Sequence, residues 1–139
     1  ILNDTGAHSS VVTMLEGVVK ELPGVSGELA KAHIALKKYR TALDVMQTYP
    51  SPTDNAALHY QQAYLTVKAN VALGEKDAYT KALESFRVLP DSGADAQYLE
   101  ATIMLAQGQT EAAKQLLQQV IEQNNEHFES LVLLGNLSL

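Results

Sequence analysis

The chain has no cysteine. That excludes a disulfide framework, a thiolate zinc site and a cysteine nucleophile, while permitting either a reducing or an oxidising compartment. It has no tryptophan, aromatics make up only 6% of residues, and runs of β-branched residues are few, so strand signals are nearly missing. No apolar run approaches the roughly 18–20 residues that cross a bilayer. A basic face is missing too. Ten Lys and Arg are scattered among sixteen Asp and Glu, for a net charge of −6, whereas nucleic-acid binding needs clustered cations to displace counterions from phosphate. The densest basic group, Lys37, Lys38 and Arg40, falls at an expected helix–helix turn and reads as a solvated corner.

What remains is a helical vocabulary. Of 139 residues 46% are apolar, enough for a core without disulfides or metal, and Ala, Leu, Gln, Glu and Lys dominate. Stops recur at Pro23-Gly24, Pro50-Ser51-Pro52, Pro90-Asp91-Ser92-Gly93 and Asn124-Asn125. Proline cannot continue a helix, and Gly or Asn accommodates the left-handed turn that closes one. From Pro23 to Asn125 these stops mark three units averaging about 34 residues, a period that signals repeated helical hairpins.

Each unit carries an inner break. Helices are predicted over residues 26–37 and 39–49, then 54–73 and, past Gly74, on to Leu89. Two more are predicted over 94–106 and, past Gly108, 110–123; residues 7–22 form an earlier one. Leu116, Leu117, Val120 and Ile121 keep the spacing of one helix face. Asp54, Asp95 and Thr110 are expected at N-caps or in first turns. The chain opens at Ile1 without Met and stops at Leu139 inside an apolar run, so it is expected to be an excerpt of a longer protein.

The segment ATIMLAQGQTEAAKQLLQQVIEQNNEHFESLVLLGN places Ala101, Gly108, Ala113, Leu117, Val120 and Asn125 in a recognisable order, and Leu134-Gly135-Asn136 follows. Ala30, Tyr39, Ala42 and Met46 repeat part of it, as do Tyr79, Ala82 and Phe86. In these positions the chain resembles the tetratricopeptide-repeat (TPR) family. The resemblance implies an all-α fold: a right-handed superhelical stack of antiparallel helical hairpins, a TPR-like solenoid of about 7–8 helices. Residues 1–24 would end a preceding repeat, 25–52 form a repeat, 53–93 a long one and 94–125 another, with 126–139 the first helix of a further repeat. Asn70 stands where the family has Ala or Gly, which implies an extended first helix or a longer turn around Gly74.

First helices line the concave surface of such arrays. There Tyr60, Tyr64 and Lys68, spaced four apart, would suit an extended peptide, with Lys31, Asp95, Tyr98, Thr102 and Asn136 facing the same groove. The alternative reading packs both tyrosines between repeats. Of the family's terminal-carboxylate clamp only Lys31 and Asn136 match, at isolated positions, so that mode is not expected. The function implied is a protein–protein interaction scaffold that binds a peptide or partner protein segment, similar to bacterial TPR proteins of secretion, envelope and polysaccharide-export assemblies. Neither nucleic acid nor membrane insertion is expected, and the oligomeric state is left open. Two alternatives stand beside this reading: a non-catalytic accessory domain of a larger enzyme, and an RNA-binding helical repeat, against which the charge argues.

Catalytic motifs dissolve on inspection. Asp4-Thr5-Gly6 matches an aspartic-protease signature, but that chemistry pairs two carboxylates on β-loops, and a helix start explains one copy better. His8, His33, His59 and His127 have no zinc spacing, and His33 reads as a core or groove histidine. Glu126-His127-Phe128-Glu129 would bind metal only if other groups converged on it; as a first turn its acids complement the helix dipole. Ser9 and Ser10 lack a nucleophile elbow, and Gly74-Glu75-Lys76 is no phosphate loop. No enzyme activity, metal or cofactor is expected.

Overall fold

The computed structural model describes residues 4–51 and 54–138. Ile1, Pro52 and Leu139, named above, lie outside the described residues, as do the side chains of Asp4 and Thr5. Eight α-helices and no strand occur among the described residues: α1 Asp4–Glu16, α2 Ser26–Ala35, α3 Tyr39–Thr48, α4 Ala56–Leu73, α5 Lys76–Arg87, α6 Gly93–Ala106, α7 Thr110–Gln123 and α8 Phe128–Leu137. The chain is all-α. It divides into two compact units, Ile1–Glu75 and Lys76–Leu139.

One turn chemistry recurs. After α2, Lys38 N–H donates to the His33 carbonyl (2.8 Å) and Lys37 N–H to that of Ile34 (2.9 Å), with Lys37 left-handed at φ 62°. After α4, Glu75 and Gly74 make the same two bonds to Asn70 and Val71, with Gly74 at φ 72°. After α6, Gln109 and Gly108 bond Met104 and Leu105, with Gly108 at φ 80°. This is the Schellman closure, which satisfies the last carbonyls of a helix and needs a left-handed residue. Glycine takes that conformation without strain at two of the three positions.

In the first unit, α2, α3 and α4 meet at Ala30, Ala42, Met46 and Leu65, with Ile34, Leu43 and Tyr64 packed around them. Ala30 and Ala42 are wholly buried. Their small side chains let helices approach to the usual 8–10 Å separation or closer. A polar seam joins α2 to α4: Gln62 donates to the Ser26 hydroxyl and to the Tyr49 carbonyl, and accepts from Ser51 N–H. Gln61 donates to Glu28 (2.7 Å). Asn70 is buried and its amide donates to the Thr66 carbonyl (3.0 Å), so its own helix satisfies it. Of the two outcomes expected from Asn70, the extended helix is the one observed, because the turn at Gly74 is as tight as the others.

The second unit repeats the scheme. Ala101, Ala113 and Leu117 form its centre, against Tyr98, Met104, Leu105, Leu116, Leu133, Leu134 and Leu137. Ala101 and Ala113 stand as far apart in sequence as Ala30 and Ala42, and all four are fully buried. Phe86, Leu99 and Val120 complete the interior.

Some boundaries differ from expectation. Helix α1 ends at Glu16 and a 3-10 turn, Pro23–Val25, precedes α2, so residues 7–22 are not one helix. Asp54 does not cap α4: Asn55 does, its side chain accepting from Leu58 N–H (3.1 Å). Asp95 and Thr110 sit in first turns as expected. The basic corner is solvated, and Arg40 reaches Glu75 (2.8 Å) in an exposed pair of the kind that contributes about 0–1 kcal/mol.

Candidate functional site: the trough between α6 and α8

Helix α8 exposes an apolar face to solvent. Phe128 is 71% exposed, Val132 47% and Leu131 43%. Phe128, Val132 and Asn136 follow one another at four-residue spacing, as do Glu129 and Leu133, so they form one stripe. Opposite them Tyr98 rises from α6. Together these six residues line an open cleft of about 310 Å³.

One rim is held by a hydrogen-bonded chain. His127 is buried at the N-cap of α8, where Nδ1 accepts from the backbone N–H of Ser130 (3.3 Å). That bond leaves Nδ1 without a proton, so Nε2 carries it and donates to Asp95 Oδ1 on α6 (2.6 Å). The Ser130 hydroxyl closes on Nδ1 from 2.7 Å. The chain thus caps α8 and ties its first turn to that of α6. The Tyr98 ring lies 5.7 Å from the His127 ring, tilted by 49°. Burial, and then the negative charges of Glu129 and Asp95, push the Tyr98 phenol above its ordinary pKa. Two carboxylates, Asp95 and Glu129, stand at this rim.

Serine, histidine and aspartate in a row invite comparison with a nucleophilic triad. Here the Ser130 side chain is wholly buried and both imidazole nitrogens are engaged, so the hydroxyl has no path to a substrate. Donor atoms of Asp95, His127 and Glu129 all lie within 4.8 Å of one another, so Asp95 does converge on the run that the sequence marked as conditional for metal. The Asp95–His127 separation of 2.6 Å is that of a direct hydrogen bond. The trio therefore acts as a cap and tie.

The residues expected to line a groove fall in both units. Asp95, Tyr98 and Asn136 are brought together at this trough. Thr102 is not part of it: its hydroxyl turns back to the Leu99 carbonyl (2.6 Å). Lys31 is exposed on α2, and Tyr60, Tyr64 and Lys68 lie half-buried on α4, all in the first unit. Lys68 Nζ sits 5.5 Å from the centre of the Tyr64 ring, a cation–π contact, while that ring also packs on the Ala30 cluster. Sequence reasoning did not nominate Phe128, Glu129, Val132 and Leu133 as binding residues, although their helical spacing was there to be read.

A second open cleft, lined by Arg87, Asp91, Ser92 and Glu100 among others, is polar, and its guanidinium is already paired with Glu100 (2.7 Å). No helix of the described residues is long and apolar enough to cross a membrane. No protein-family model, curated protein or solved structure matches the chain.

Proposed function

We propose that this chain is a TPR-like interaction scaffold, its hairpins stacked as a right-handed solenoid, and that the trough between α6 and α8 takes an extended polypeptide. The observation that carries the reading is the exposed stripe Phe128, Val132 and Asn136 facing Tyr98. Contiguous exposed apolar surface rimmed by polar groups marks interaction sites in soluble proteins. An aromatic wall with a polar tip is the usual anchor for a partner's side chains. The recurring Schellman turns and the equally spaced alanine pairs support the repeat reading, since a hairpin with one apolar face requires a neighbour to cover it. In this reading the chain is non-catalytic and needs no cofactor.

Selection of peptides from a random display library on the intact chain tests the proposal. Peptides recovered should bind Phe128→Ala at least about 30-fold more weakly, as loss of an anchor worth roughly 2 kcal/mol requires. The melting temperature of that variant should stay within a few degrees, because the ring is mostly in solvent. Peptides indifferent to Phe128, or no peptides at all, would remove the trough from consideration.

A further inference from the structure

We infer that the trough contains a socket for a cationic side chain, arginine above all, presented by the bound polypeptide. This rests on the interaction reading and specifies what it recognises. The lining offers aromatic walls in Tyr98 and Phe128, apolar floor in Val132 and Leu133, a carboxylate in Glu129 and an amide in Asn136. It contains no lysine or arginine of its own. In the polar cleft by contrast, Arg87 already neutralises Glu100.

The charges at the rim add up to an attraction. Two carboxylates stand at this rim: Asp95, which accepts from His127 Nε2 (2.6 Å), and Glu129, whose Oε2 lies 3.9 Å from the same nitrogen. The Tyr98 phenol stands beside both carboxylates, its pKa raised first by burial and then by Glu129 and Asp95. The N-termini of α6 and α8 lay partial positive charge of about half a unit each near the rim, which two full carboxylates outweigh. Glu129 is about half exposed and can turn to meet a ligand.

Guanidinium fits this surface better than ammonium. It is planar and weakly hydrated, so it stacks on an aromatic face and engages a carboxylate with two parallel N–H groups. Its aliphatic stem would lie along Val132 and Leu133, as long cationic side chains do on apolar surface.

The test compares Nα-acetyl-arginine amide with Nα-acetyl-citrulline amide, which has nearly the same shape and no charge. Each is titrated at millimolar concentration into the isotope-labelled chain while backbone amide shifts are followed. The arginine compound should give saturable shifts at Tyr98, Phe128, Glu129, Val132 and Leu133, and bind about 10-fold more tightly than citrulline. Glu129→Gln should abolish most of that preference without moving the melting temperature, and raised salt should weaken the arginine compound alone. Equal binding of the two compounds, or arginine shifts that cluster elsewhere, overturns the inference. If display-selected peptides still depend on Phe128 in that event, the trough stands and only its cation preference falls. If they do not, both readings fall together.

Discussion

At the scale of single residues, Lys37 and His33 hold a conformation and an environment that their chemistry does not favour. Lys37 occupies the left-handed position that glycine fills at 74 and 108. A side chain there costs roughly 1–2 kcal/mol, against which glycine's extra freedom in the unfolded chain sets about 0.5–1 kcal/mol. Lys37→Gly should therefore stabilise the chain by about 0.5–1 kcal/mol, read as a higher urea midpoint with unchanged slope. His33 is the other. It is buried, with neither ring nitrogen hydrogen-bonded, and Glu16 Oε1 comes no nearer than 3.8 Å. Burial lowers its pKa, Glu16 partly offsets that, and Lys38 lowers it further. The unfolded chain then takes up its proton near pH 6.5 while the folded chain resists, so the stability tied to neutral His33 is whole above pH 6.5. It is lost as pH falls below that value toward the folded-state pKa. Melting temperature should drop less steeply from pH 7 to pH 5 in His33→Phe than in the parent. Parallel slopes would show that His33 is protonated without penalty.

At the scale of elements, small residues decide how helices meet. Ala113 has no exposed surface and packs with Ala101 and Leu117 where α6 crosses α7. Ala113→Leu should force the crossing apart and cost about 1–3 kcal/mol, measurable by thermal or urea unfolding. A neutral result would mean the α6–α7 contact yields without cost. The caps show a different logic. Asn55 holds α4 by local chemistry, accepting from the amide three residues on, whereas His127 makes the same local bond to Ser130 and also reaches Asp95 on another helix. The first kind is visible in a short window of sequence. The second is not, which is why Glu126–Glu129 read as an ordinary first turn.

At the scale of the whole molecule, the sequence by itself determined the all-α class and most helix ends. Those properties depend on residues a few positions apart: proline and glycine end helices locally, and apolar spacing of three and four sets the buried face. It also carried the Asn70 irregularity, though not its resolution into an 18-residue α4. Only the tertiary structure decided which of the nominated groove residues act together. Asn136 on α8 lies far along the chain from Asp95 and Tyr98 on α6, and the fold brings them to one trough, while Thr102 spends its hydroxyl on its own backbone. The same fold assembled the rim from one acid on α6 and one on α8. Charge counted along a sequence ignores distance in space, and electrostatic interaction depends on that distance and on burial.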